Sequence, residues 1–332
     1  MIVCTSINAN YIPKAKVLAK SMKEKNPNTT VVICLLEEKI HPACKDFDYF
    51  DEIILATDLG IPDFKRFIFM HNKVEASTAV KGNLFLYLLN KYKTANKFVY
   101  LDPDIFVLGR LNELEKALNH HSIVLTPHLL EPEESLEAVW DNEICALQHG
   151  AFNLGFLAIS RSDESLRFIH WWANRLLKFC HDNIPQGLFT DQKWMDLAPS
   201  FFDILILKHC GYNVAPWNLS RRKITISDQG DYLTNGLPLR FFHFSGFDSF
   251  AFEGMLNKYV PDKNNAVHSL ANQYKLEIAN MGQNLLGNEP WSYDYYCDGE
   301  PISHHARIHY RHNLTLQNQY TDPFQCSNQI FG

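Results

Sequence analysis

Over the first 130 residues, short apolar runs alternate with stretches whose apolar positions recur at helical spacing. The opening "MIVCTSI" is rich in β-formers. "TVVICLL" (30–36) and "DEIILAT" (51–57) are near-continuous apolar segments of the kind that parallel sheets cover on both faces. Between the first two, "YIPKAKVLAKSMKEKN" (11–26) gathers Val17, Leu18 and Met22, sets lysines elsewhere, and stops at "NPN". A longer helix is predicted over "NKVEASTAVKGNLFLYLLNKY" (72–92), followed by the strand "FVYL" (98–101) and a resumed apolar run, "IFV" (105–107). Strands alternating with helices predict an α/β fold on a doubly wound sheet. Such sheets bind ligands beyond the carboxyl ends of their strands, near the point where strand order reverses. That rule singles out "TSINANY" after the first strand, the loop after "IILAT", and "DPD" at 102–104.

Beyond residue 150 the pattern is mixed. "GAFNLGFLAISR" (150–161) reads as a glycine-interrupted strand, and "SDESLRFIHWWANRLLKF" (162–179) as an amphipathic helix opened by a capping box at Ser162 and Ser165. "TDQKWMDLAP" (190–199) reads as a short helix capped by Thr190 or Asp191. "YNVAPWNL" and "LRFFHFSGF" are apolar segments bounded by turns. Residues 259–287 read as helical, and 291–320, rich in Tyr, His and Arg, as irregular.

Composition narrows the function classes. With 46% hydrophobic and 20% charged residues among 332, the chain is an ordinary globular one, and a net charge of −6 counts against a primary nucleic-acid binder. Aromatics at 13% suit stacking on sugars, although aromatics more often fill cores. The eight cysteines are scattered singly, without a C-x-x-C pair, and read as reduced thiols of a cytoplasmic protein rather than a disulfide frame or zinc site. "MIVCTSINANY" lacks the basic start and apolar core of a signal peptide, and no run approaches the length of a transmembrane helix. A peripheral membrane contact stays open.

The strongest chemical signal is Asp102 and Asp104 in "FVYLDPDIFVLG". Residues i and i+2 of an extended segment point the same way, so the two carboxylates can converge. Paired acids at a buried strand end repel unless a cation joins them, and a divalent Mg²⁺ or Mn²⁺ ion held with substrate phosphates would do so. Capping of the following turn, or pairing with Lys or Arg, is the alternative. A second copy, Asp46 and Asp48, sits in a polar, turn-like context and reads as solvated surface.

"VYLDPDIFV" resembles the D-x-D segment of GT-A glycosyltransferases, and the wider pattern is similar to family 8, the retaining enzymes related to glycogenin and bacterial galactosyltransferases. "TSINANY" resembles that family's first strand and loop, "FNLGFLAIS" the strand flooring its sugar pocket, "TDQKWM" its Asp-Gln pair and "FHFSG" its His-x-x-Gly segment; all five occur in the family's order. The resemblance implies one Rossmann-like GT-A domain over 1–250, with 251–332 as a helical or irregular acceptor-side or lid extension. It implies a metal-dependent hexosyltransferase that moves a sugar from a nucleotide donor, a UDP-sugar, to a glycan, lipid-linked or protein acceptor, with retention.

Residue by residue, the resemblance makes Asp102, Asp104 and His243 the ligands of Mn²⁺ or Mg²⁺. Thr5, Asn8, Asn10 and Tyr11 would line the base and ribose pocket, Tyr11 by stacking, although Asn10 also fits a plain helix cap. Lys81 would reach the diphosphate or donor sugar, or else be a solvated helix lysine. Asn153 would bond the sugar, Gly155 would let backbone approach closely, and Gly246 joins the donor-binding set. Asp191 would hold sugar hydroxyls and Gln192 would stand near the reaction centre of a front-face substitution.

Two departures matter. The family's Lys-Pro-Trp after His-x-x-Gly is missing, with no lysine until Lys258, which leaves Lys81, Arg307 or Arg311 to face the diphosphate. Asn8 stands where an acid is common, which leaves the base preference open. A sugar-phosphate nucleotidyltransferase would carry a glycine-rich N-terminal loop that "CTSINANYIPKAK" lacks, and a catalytically silent binding protein would not need the intact Asp, Asn, Gln and His set.

Overall fold

The N-terminal apolar run forms β1 (Ile2–Ile7), buried along its whole length, and the next two runs form β2 (Thr30–Leu35) and β3 (Glu52–Leu55). In the computed structural model, which describes residues 1–331, these strands pair in parallel, and β4 (Lys97–Leu101) lies parallel on the other side of β1. The short strand β5 (Ile105–Val107) leaves the sheet. β6 (Ile123–Pro127), β7 (Phe152–Ser160) and β8 (Leu205–Ile206) complete a seven-stranded sheet of order β8-β6-β7-β4-β1-β2-β3. β7 is antiparallel to both of its neighbours. Strand order reverses between β1 and β4, so the ends of these two strands form the crevice where an open α/β sheet binds ligands.

Alternation along β1 feeds both faces. Ile2 and Cys4 join the cluster under Leu84, Phe85 and Leu88, whereas Val3 packs with Leu18 and Met22 of α1 (Ile12–Lys25) on the opposite side. After α2 (Phe64–Phe69), the helix expected over 72–92 is broken at Val80 into α3 (Lys73–Ala79) and α4 (Lys81–Lys91), so Lys81 opens a helix of its own. α5 (Asp163–Phe179) starts at the Ser162–Ser165 capping box and lies against α4. A Cβ on Gly82 would fall 2.8 Å from that of Ala173, an approach only glycine permits.

The last third covers two sides of the sheet. β9 (Phe241–His243) pairs antiparallel with β5, and α6 (Phe250–Tyr259) and α7 (Ala266–Asn280) pack Leu256, Leu270 and Tyr274 against Phe106. Within the stretch read as irregular, α8 (His304–His312) forms; Trp291 and Tyr310, with Phe324 and Phe331 beyond that stretch, enter the same apolar cluster as Phe69 and the sheet. Residue 332, the last of the expected extension, lies outside the described residues. No helix among the described residues is long and apolar enough to cross a membrane.

Candidate active site

The sheet register brings the three expected metal ligands together. β4 ends at Leu101, and the Asp102 amide donates to the Gly155 carbonyl at 2.8 Å, anchoring the turn to β7. Pairing of β5 with β9 sets His243 opposite Ile105, and the Phe244 amide donates to the Asp104 carbonyl at 2.8 Å. His243 Nε2 thus lies 3.1 Å from Asp104 Oδ1 and 3.8 Å from Asp102 Oδ2, and one ligand atom from each residue lies within 4.8 Å of the others. Two carboxylate oxygens and one imidazole nitrogen suit a Mn²⁺ or Mg²⁺ ion, with room for substrate oxygens. The other pair, Asp46 and Asp48, is exposed, with Asp46 at φ +54° in a turn.

Electrostatics fit a cation there. Burial pushes the Asp104 carboxyl up, but the His243 ring and the Lys14 ammonium outweigh it and hold it below the usual carboxylate range. Burial pushes His243 down, and Asp104 more than compensates, leaving the imidazole more basic than usual.

Lys81 is no solvated helix lysine. Its side chain is 2% exposed, with Nζ 2.9 Å from Asp191 Oδ2, 3.3 Å from Asp102 Oδ1 and 2.9 Å from the Leu154 carbonyl it donates to. Burial disfavours the charged ammonium, yet Asp102 and Asp191 raise its pKa well above the ordinary lysine value. Asp191 therefore does not cap a helix: the expected 190–199 helix is a 3-10 turn, Lys193–Asp196, whose leading residue, Gln192, makes no capping bond. Gln192 instead accepts from the Leu154 amide at 3.2 Å and donates to the His149 carbonyl at 3.0 Å.

Two cavities meet at the carboxylates. One of about 150 Å³ is lined by Asn8, Tyr11, Tyr100, Asp102 and Asp104. The other, of about 370 Å³, runs past Lys81, Asn153, Asp191, Gln192 and His243, and shares Asp102 and Asp104 with the first. Asn8 lines the smaller cavity, whereas Thr5 and Asn10 are not among its lining residues. Thr5 Oγ1, Asn8 Oδ1 and Asn10 Oδ1 are all buried oxygens without a hydrogen-bond partner. The helix-cap reading of Asn10 fails, because Tyr11 leads α1 and no side chain caps it. Gly246 takes φ +70° in the turn after β9, where its carbonyl accepts from the Ser249 hydroxyl.

Of the cations offered for the missing lysine, Arg307 and Arg311 are spent elsewhere. Arg307 donates to the carbonyls of Phe69, His71 and Tyr293, and Arg311 pairs with buried Glu75. Lys258 pairs with Glu137 and Asp141. The sequence reading missed Lys14, which is 2% exposed, bonded to Asp248 and 4.5 Å above the Tyr11 ring. Its three-residue spacing from Tyr11 was the available signal. Asn213, Trp217 and His128 were missed too; "YNVAPWN" carried the first two as an unassigned apolar segment, and His128 directly follows β6.

The model of "Glycosyl transferase family 8" matches residues 2–183, more than half of the chain. The uncharacterized protein YfnF of Bacillus subtilis (strain 168) is 22% identical over 252 residues, covering 74% of this chain and 80% of its own. YfnD of the same strain is 25% identical over 171 residues, covering 51% of this chain and 52% of its own. Among solved structures, galactosyltransferase LgtC in complex with donor and acceptor sugar analogs is 17% identical with a TM-score of 0.47, covering 85% of this chain and 96% of its own. The chain belongs to glycosyl transferase family 8 and is a glycosyltransferase built on a mixed α/β sheet.

Proposed function

We propose that the protein transfers a hexose from a UDP-sugar to a hydroxyl acceptor, with retention, using Mn²⁺ or Mg²⁺ held by Asp102, Asp104 and His243. The observation that carries this reading is the junction of the two cavities at Asp102 and Asp104, with His243 lining the larger one beside them. The smaller cavity takes the base and ribose, with Tyr11 as the stacking face and the unpartnered Asn8 oxygen as an acceptor for a base N–H. The larger takes the sugar, against Asn153, Asp191 and Gln192. The bound ion supplies Lewis-acid stabilisation of charge developing on the leaving diphosphate. Lys81, fixed between Asp102 and Asp191, orients both carboxylates.

Asp191 is engaged by the Lys81 ammonium, which makes it a weak nucleophile, and Gln192 carries no charge. Front-face substitution follows: the anomeric C–O bond to the diphosphate breaks, the acceptor oxygen bonds to the same face, and the acceptor proton passes to the departing phosphate oxygen. In this reading residues 1–250 bind the donor, and 251–332 contribute to the acceptor side.

Thermal shift with a panel of nucleoside diphosphates and nucleotide sugars, with and without Mn²⁺, tests the donor assignment. UDP with Mn²⁺ is expected to stabilise most, and the effect should vanish in Asp102→Asn and Asp104→Asn. Greater stabilisation by GDP or CDP would overturn the base assignment, and an inverted anomer in the product NMR spectrum would overturn retention.

A further inference from the structure

Asn213 sits behind the site, 1% exposed, at φ +51°, in a left-handed conformation that non-glycine residues seldom adopt and asparagine tolerates best. It follows Tyr212, whose ring lies in the core, and neither periodicity nor a motif marks it. Its amide nitrogen donates to Thr126 Oγ1 at 2.9 Å and to Asn153 Oδ1 at 3.1 Å, and its Oδ1 lies 3.3 Å from His243 Nδ1. One asparagine therefore touches both the histidine of the metal cluster and the asparagine of the sugar cavity.

The direction of every bond in this chain is set by a backbone group. The Gly155 amide can only donate, and it donates to Asn153 Oδ1 at 3.0 Å. The atom that faces the same oxygen from Asn213 must then be the NH₂ group. That leaves Asn213 Oδ1 facing His243, so Nδ1 carries a hydrogen and Nε2 is the nitrogen presented to Asp104 and Asp102. Metal-binding histidines commonly have their second nitrogen held this way, which fixes ring orientation and tautomer.

We infer that Asn213 is a positioning residue that couples the metal and sugar halves of the site, by holding His243 in its Nδ1–H form and Asn153 Oδ1 toward the interior. The inference rests on the metal assignment made above and goes beyond it. Two variants separate the halves. Asn213→Gly keeps the backbone conformation and removes all three side-chain bonds. Asn213→Asp retains an acceptor for His243 Nδ1 but sets an oxygen against Asn153 Oδ1.

The test is Mn²⁺ binding in the presence of UDP, followed by EPR titration and by the ¹⁴N coupling of the coordinated imidazole, with KM for the nucleotide sugar measured separately. Asn213→Gly is expected to weaken Mn²⁺ binding roughly tenfold or more and to reduce the ¹⁴N coupling. Asn213→Asp should keep Mn²⁺ affinity near that of the parent and raise KM. Unchanged Mn²⁺ affinity and ¹⁴N coupling in Asn213→Gly would overturn the inference alone, whereas a parent protein with no bound Mn²⁺ would overturn the metal assignment as well. If Asn213→Gly does not fold, Asn213→Asp decides: equal loss of both functions, or loss of neither, refutes the coupling.

Discussion

Gly155 stands against the imidazole of His243 because it has no side chain: a Cβ there would fall 2.7 Å from Nδ1 and 2.8 Å from Asn153 Oδ1. Neither neighbour can yield without breaking the bond chain through Asn213. Gly155→Ala is expected to displace the ring and lower Mn²⁺ affinity roughly tenfold. Overpacking should also cost about 1–3 kcal/mol of stability. Metal titration and urea denaturation on the same sample measure the two effects, and parent-like affinity would show that the ring position is not constrained here.

Lys81 and Asp191 form an ion pair with almost no exposure on either side. Removing one partner strands the other charge, so Lys81→Met should destabilise the fold by about 3–5 kcal/mol. Adding Asp191→Asn removes the stranded charge and should recover most of that loss. Denaturant midpoints of the single and double variants check this; a double variant no more stable than Lys81→Met would refute the pairing.

Arg311 pairs with Glu75, a residue 2% exposed, and burial of that carboxylate is outweighed by the guanidinium, which holds it below the usual range. Arg311→Met should therefore cost about 3–5 kcal/mol of stability. Because neither residue lines either cavity, Mn²⁺ and UDP binding to the folded variant should match the parent by calorimetry. A selective loss of UDP affinity would instead make Arg311 a diphosphate ligand.

His71 is held neutral: burial, and next the Arg311 charge, push its pKa down to about 3. In the unfolded chain it titrates near 6.5, so between pH of about 6.5 and 3 the unfolded state binds a proton that the folded state refuses. Stability is lost as pH falls through that window. His71→Phe should flatten the dependence of unfolding free energy on pH there by about 1.4 kcal/mol per unit. Chemical denaturation at pH 6, 5 and 4 reads this directly, and parallel slopes would rule it out.

The apolar runs at 2–7, 30–35, 52–55 and 97–101 were legible as strands because buried parallel strands admit almost no polar residue. The broken helix at Val80 was not legible, since 73–79 and 81–91 both keep helical periodicity across the break. Nor was the packing of 291–331, whose Trp, Tyr, Phe and Arg residues follow no regular spacing that would point to Phe69 and Glu75 beneath them.

By itself the sequence determined the alternation of strand and helix, the carboxylate pair at a strand end, and the order of the motifs, because each is a local pattern of residue types. Tertiary structure alone decided who meets whom. The register of β5 with β9 sets His243 beside Asp104 across more than a hundred residues of chain, the turn of Lys81 inward joins Asp102 to Asp191, and Asn213 links two halves of the site from a segment without periodicity. These partnerships depend on strand pairing and on a buried polar group's need for a partner, and neither is written in the spacing of the residues concerned.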